Sequence, residues 1–253
     1  MNQPRRRVAL FITCLTDQFY PQVGVAVTKV LEYLGCEVVF PGAQTCCGQP
    51  FFNNGFHGDA RELAKRFVET FESFEQIVTP SASCCAMVRE HFPTLLGEDP
   101  AWGPGMRCVR DRTFEFVEFL IKVLKVDLTD VSLPEPTPMT YHYTCHQRGL
   151  GIVDGPVKLL KQIGNADLRP VENIDQCCGF GGTFAIKYPA ISGVMAEDKV
   201  NRLAKTGAAT TVCNDAGCTM NLAGMCHRRG VQMQFKHTAE LIAEALSLDL
   251  TKW

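Results

Sequence analysis

Short apolar runs alternate with longer stretches of helical spacing along this chain, and the alternation occurs twice. Val8 to Thr13 is a compact β-rich run, followed after a loop by apolar positions at helical intervals from Gln22 to Leu34. The same order returns at Met139 to Thr144 and Pro156 to Ile163. Further helices are expected at Asp59 to Phe74, Thr113 to Val126 and Pro189 to Lys205, with short strands at Gln76 to Thr79 and Ala209 to Cys213. Strands that alternate with helices imply parallel sheets, whose ligands gather beyond the carboxyl ends of the strands. A segment rich in proline, Leu133 to Pro138, separates the two series. The expectation is therefore an α/β protein of two tandem, pseudo-symmetric modules with small parallel sheets, 1–132 and 133–253.

Cysteine usage changes this picture most. Thirteen cysteines in 253 residues is an odd number, which argues against a disulfide framework and for metal or redox chemistry. Eight of them repeat with the modules. Cys14, Cys46, Cys47 and Cys84 form one set; Cys145, Cys177, Cys178 and Cys218 form the other, displaced by 131 residues at the first three positions and 134 at the last. Each vicinal pair is followed by a glycine, Gly48 or Gly179, which lets the backbone bend so that both thiols reach one site. Cys84 and Cys218 fall at expected helix starts, after Ser83 and Gly217, where the helix dipole favours a thiolate and peptide N–H groups can reach bound sulfur.

Four thiolates gathered from separate loops suit an iron–sulfur cluster or a structural zinc. The spacing lacks the paired Cys-x2-Cys usual for zinc, so iron–sulfur is the first expectation and zinc the second. Cys36, Cys108 and Cys226 have no repeat partner and are expected to be ordinary core or surface thiols. His142 and His146 flank Cys145; they are expected to be ordinary hydrogen-bonded histidines, with contact to a cluster sulfur as the alternative. His237 is expected to cap or precede the last helix.

Charge excludes little and adds little. A formal net charge of -2 gives no footprint for nucleic acid or an anionic membrane. No apolar run is long enough to span a bilayer, and the basic start Arg5 to Arg7 leads into a run too short for a signal peptide, so a cytoplasmic location is expected. There is no phosphate loop, no nucleophile and base pair, and no catalytic carboxylate pair.

These motifs, Thr45-Cys46-Cys47-Gly48-Gln49-Pro50, Cys177-Cys178-Gly179-Phe180-Gly181-Gly182-Thr183-Phe184, Tyr141-His142 with Cys145-His146, and His237-Thr238-Ala239-Glu240-Leu241, resemble the duplicated cysteine-rich CCG domain family. That family includes the cluster-binding subunit of heterodisulfide reductase and the iron–sulfur subunit of glycolate oxidase, and the likeness is strongest to its lactate-utilisation branch. The resemblance implies an electron-transfer subunit, one [4Fe–4S] cluster per module, for oxidation of L-lactate to pyruvate. It implies partners, a ferredoxin-like B subunit and a C subunit, and no flavin site. The alternatives are a catalytic cluster acting on a disulfide or a 2-hydroxy acid, and a zinc-stabilised interaction module. One departure stands out: the fuller family motif ends in Cys-x-x-Cys, but Met87 and Asn221 occupy the last position here. The fifth ligand of a noncubane cluster is then missing, with Cys85 and Cys213 as candidates to replace it.

Overall fold

The computed structural model describes residues 5–251, so the outer ends of both expected modules, 1–4 and 252–253, lie outside the described residues. Two four-stranded sheets form. The first contains β1 (Arg6–Leu10), β2 (Cys36–Val39), β3 (Ile77–Thr79) and β4 (Thr113–Glu115) in the order β2-β1-β3-β4. The second contains β5 (Ser132–Tyr141), β6 (Gly164–Leu168), β7 (Thr210–Val212) and β8 (Gln234–Lys236) in the order β6-β5-β7-β8. Every pairing is parallel, and the two topologies are the same, so the chain consists of two tandem α/β modules.

Both central strands run from a solvated entry into the core. The Arg6 and Arg7 side chains are exposed, and Val8 to Leu10 are buried. The helix Pro21–Tyr33 returns the chain to β2 and buries Val23, Val27, Val30 and Leu31 on the sheet. Its counterpart in the other half, Gly155–Leu160, buries Leu159 and Leu160, while Pro189–Lys205, the counterpart of His57–Phe71, buries Ala196, Val200 and Leu203. One apolar core crosses both halves, joining Leu10, Val27 and Phe116 to Met139, Tyr141, Leu160 and Ile242. The helix Thr238–Ala245, which follows β8, packs on Pro21–Tyr33 of the first half.

Three expectations need revision. Thr113–Val126 is not helical from its start: Thr113–Glu115 is strand β4, and Glu115 then caps a helical turn that widens into a π-helical stretch, Phe119–Leu124. The helical spacing of the apolar residues hid a three-residue strand set against its own helix. The proline-rich segment is not a free linker, because β5 starts at Ser132 and pairs with Gly164. Its prolines lack N–H donors, and the register shifts between Ser132 and Thr137 as the ladder passes them. The first strand also ends earlier than expected, at Leu10, and Thr13 is the N-cap of the helix that begins at Cys14.

Candidate metal centre

All eight repeated cysteines sit at the carboxyl ends of the strands. Cys14 is the first residue of the short helix Cys14–Phe19 after β1, and Cys145 the first of Cys145–Gly149 after β5. Thr13 and Thr144 precede them in extended conformation, and the Thr144 hydroxyl accepts a hydrogen bond from Gln147 N–H. Cys84 lies in the first turn of Ala82–Ala86 and Cys218 in the first turn of Ala216–Arg229. All four single cysteines thus lie at helix N-termini. Sequence reasoning found this only for Cys84 and Cys218, although the Thr-Cys dipeptides at 13–14 and 144–145 are a legible capping signal.

In the first module, Cys14 Sγ lies 3.6 Å from Cys46 Sγ, and Cys47 Sγ lies 3.3 Å from Cys84 Sγ. In the second, Cys178 and Cys218 Sγ are 3.0 Å apart, and the Cys145 thiol lies close enough to Cys177 to shift its proton affinity. Gly48 and Gly179 both adopt the left-handed conformation, with φ of 86° and 83°, and this turns their N–H groups back onto Cys46 and Cys177 Sγ at 3.4 Å. Phe180 N–H reaches Cys178 Sγ at 3.5 Å. Hydrogen bonds from Cys14 and Cys47 pull Cys46 far below the usual thiol range, and those from Cys145 and Cys178 do the same for Cys177. Cys14 and Cys145 are driven up correspondingly, because each donates to that vicinal partner.

Ser83 and Gly217 have different partners from those expected. Both N–H groups are taken by one carboxylate: Asp215 Oδ2 accepts from Ser83 N at 3.0 Å, and Oδ1 accepts from Gly217 N at 3.1 Å. The donors directed at sulfur are Gly48, Gly179 and Phe180. The sequence offered a signal for this, an aspartate one residue before a helix start, but not the cross-module reach.

The remaining cysteines separate cleanly. Cys85 is buried against the Thr113 carbonyl and Arg89, and burial pushes its thiol up. Cys213 lies beside Cys218, with its Sγ 3.5 Å from Asp215 O. Cys36 and Cys226 are buried in the apolar cores and Cys108 is exposed. At the two altered motif positions, Met87 is wholly buried in the first core, and Asn221 Nδ2 donates to Cys178 O at 2.8 Å, bracing the vicinal pair.

The histidines divide too. His146 is hydrogen-bonded as expected, with Nε2 3.3 Å from Gln49 Nε2 of the other module and Nδ1 3.6 Å from Cys145 Sγ. His142 is not: it is 1% exposed, and neither ring nitrogen has a hydrogen-bond partner among the described residues. The expectation of an ordinary satisfied histidine is corrected here, because β5 carries the ring into the core beside Cys178 and Cys218 rather than toward a polar partner. Burial holds the imidazole neutral, its pKa pushed down to about 3. Lys199, also buried, donates to Asn173 O at 3.3 Å nearby, and burial pulls its ammonium pKa down.

Two parallel sheets of one topology, each ending in a Cys, Cys-Cys-Gly, Cys cluster, define a duplicated cysteine-rich protein. The cysteine-rich domain CCG matches residues 8–89 and 139–223, and the chain belongs to that family. It is 44% identical over 242 residues to lactate utilization protein A of an Exiguobacterium species, covering 94% of this chain and 98% of that one. Lactate utilization protein A of Bacillus thuringiensis is also 44% identical, over 237 residues, covering 93% and 98%. Among solved structures, a hypothetical protein from Helicobacter pylori shares the fold with a TM-score of 0.62 at 8% identity; the match covers 98% of this chain and half of that one.

Proposed function

We propose that each module holds one iron–sulfur cluster, the first on Cys14, Cys46, Cys47 and Cys84 and the second on Cys145, Cys177, Cys178 and Cys218. In this reading the chain is the electron-relaying subunit of a lactate-oxidising assembly. The observation that carries it is the convergence of eight repeated cysteines into two clusters of thiols, each with peptide N–H groups aimed at sulfur. The donor set fits: all-sulfur ligands, vicinal thiols opened by a left-handed glycine, and N–H groups that stabilise added negative charge. An iron–sulfur cluster supplies one-electron transfer.

The chain's own residues hold and tune such a group. Gly48, Gly179 and Phe180 donate to thiolate sulfur, the helix N-termini favour its charge, and the apolar cores around Cys47 and Cys178 keep water from the inner side. Cys14 stays exposed at the outer edge, where a partner protein can approach. Ile186, Ile191 and Val194 expose apolar side chains on the segment after the second vicinal pair. The partners we assign are the ferredoxin-like B subunit and the C subunit of a lactate utilisation system, with the cytoplasm as location; no helix among the described residues is long and apolar enough to cross a membrane. Lactate as the oxidised acid rests on the names of the similar proteins. The module boundary is placed at residue 133.

The test is the iron, sulfide and zinc content of anaerobically purified protein, with electron paramagnetic resonance before and after reduction. About eight irons and eight sulfides per chain, for two four-iron clusters, support the reading. Zinc without sulfide would end it.

A further inference from the structure

The modules differ at one position that the repeat sets beside the cysteines. Phe11 and His142 are equivalent, each three residues before the first cysteine of its module. Phe11 is wholly buried and packs edge-on against Phe67 and Phe71, with ring centroids 4.9 and 5.6 Å away. His142 is equally buried, yet both of its ring nitrogens lack a partner among the described residues. A buried polar group left unpaired is destabilising, and such groups persist where something else completes them. The ring is held in place by the sheet, since His142 N–H donates to Val212 O of β7 at 2.9 Å. A ring nitrogen of His142, Cys178 Sγ and Cys218 Sγ all lie within 4.8 Å of one another. Imidazole and thiolate together form known mixed ligand sets for iron–sulfur clusters.

We propose that His142 is an iron ligand in the second module, taking the place of one of the four thiolates at its cluster, so that this site is built from nitrogen and sulfur donors while the first is built from sulfur alone. The inference rests on the iron–sulfur reading above. Phe11 has no donor atom, so the first module cannot copy the arrangement. The consequence is electrical. A neutral nitrogen in place of a thiolate removes a negative charge from the second site and favours its reduced state, so electrons entering at the first module run downhill to the second.

The test uses full-length protein labelled with 15N-histidine, purified anaerobically, reduced, and studied by pulsed electron paramagnetic resonance. The expected result is the strong nitrogen coupling of a directly bound imidazole. It is kept in Cys47→Ser, which lacks the first cluster, and in His146→Gln, which removes the other histidine beside the cysteines. It is lost in His142→Phe, and the higher of the two reduction potentials moves negative in that variant. Wild-type protein rich in iron and sulfide but showing only the weak coupling of a hydrogen-bonded histidine would overturn the inference and leave the cluster reading intact. So would a strong coupling that survives His142→Phe. Wild type without iron and sulfide would fail both, and metal analysis shows this before any spectrum. If His142→Phe does not fold, labelled wild type and His146→Gln still decide the matter.

Discussion

The carboxylate of Asp215 accepts a hydrogen bond from the backbone N–H of Ser83, at 3.0 Å, across the boundary between the two modules. Asp215 caps its own helix through Gly217 N at 3.1 Å and also receives the Ser81 hydroxyl at 3.2 Å. One buried side chain therefore serves the N-termini of both helices that carry a fourth cysteine. A few residues away, Asn214 links Glu115 of the first module to Thr238 of the second, and His237 contacts the Pro80 carbonyl. The modules are joined at the cysteine-bearing end by polar side chains as well as by the shared apolar core.

Asp215→Ala should accordingly destabilise more than an ordinary cap deletion. Losing a single N-cap costs about 0.5–2 kcal/mol, and here two helix starts are left open. The expected loss is about 2–3 kcal/mol, read as a lower urea midpoint with an unchanged denaturant slope. A shift within the error of the midpoint would mean that water replaces the carboxylate at both sites.

His237 makes stability pH-dependent in a direction that can be stated. Its Nδ1 accepts from Ala239 N at 3.1 Å, so Nε2 carries the proton and donates to Pro80 O at 3.0 Å. Burial pushes its pKa down to about 4, from an ordinary value near 6.5. Between those values the unfolded chain binds the proton and the folded chain does not, so stability is present above about pH 6.5 and falls as the pH drops toward 4. His237→Asn keeps a capping side chain but does not titrate. Thermal unfolding of the variant should change less than that of wild type between pH 7 and pH 4.5; equal changes would assign the acid sensitivity to other groups.

The repeat was the most legible feature of the sequence, because three equal offsets survive any uncertainty about individual elements. The parallel α/β class, the cysteine-bearing strand ends and the helix starts at Cys84 and Cys218 all follow from it. Strands β2, β6 and β8 were not legible: each is only three to five residues long, and the alternation in β6 and β8 carries too few large apolar side chains to stand out. Strand β4 was hidden by helical spacing that runs through it. At the site, the sequence could place His142 near Cys145 but could not show that its ring has no partner. That property depends on what β7 and the helix Ala216–Arg229 bring alongside. The cross-module role of Asp215 depends in the same way on tertiary approach, which no local pattern encodes.

Single-cysteine replacements test whether each cluster of thiols acts as one unit. Cys47→Ser and Cys178→Ser are each expected to remove about half of the iron, because loss of one of four thiolates opens its own site and leaves the other intact. Cys108 is exposed and has no repeat partner, so Cys108→Ser should leave iron content unchanged. Equal iron loss from Cys108→Ser would break the ligand assignment.

Two glycines in equivalent turns should differ in what they tolerate. Gly48 and Gly179 share the left-handed backbone that aims an N–H at sulfur, so alanine at either position bears the conformational penalty, roughly 1–2 kcal/mol. The space around them is unequal. A Cβ at Gly48 would find Leu63 Cβ at 3.4 Å and Ala60 Cα at 3.5 Å, ordinary contacts. A Cβ at Gly179 would meet Ser192 O at 2.8 Å and Met195 Cβ at 3.0 Å, and the Ser192 hydroxyl already donates to Gly179 O. The helix Pro189–Lys205 cannot retreat without loosening that bond and the Asn221 brace on Cys178. Gly48→Ala should lose only the conformational penalty and keep its iron, whereas Gly179→Ala should lose more stability and about half of the iron. Urea midpoints and iron content read together check this, and indistinguishable variants would show that the second turn is free to move away from its helix.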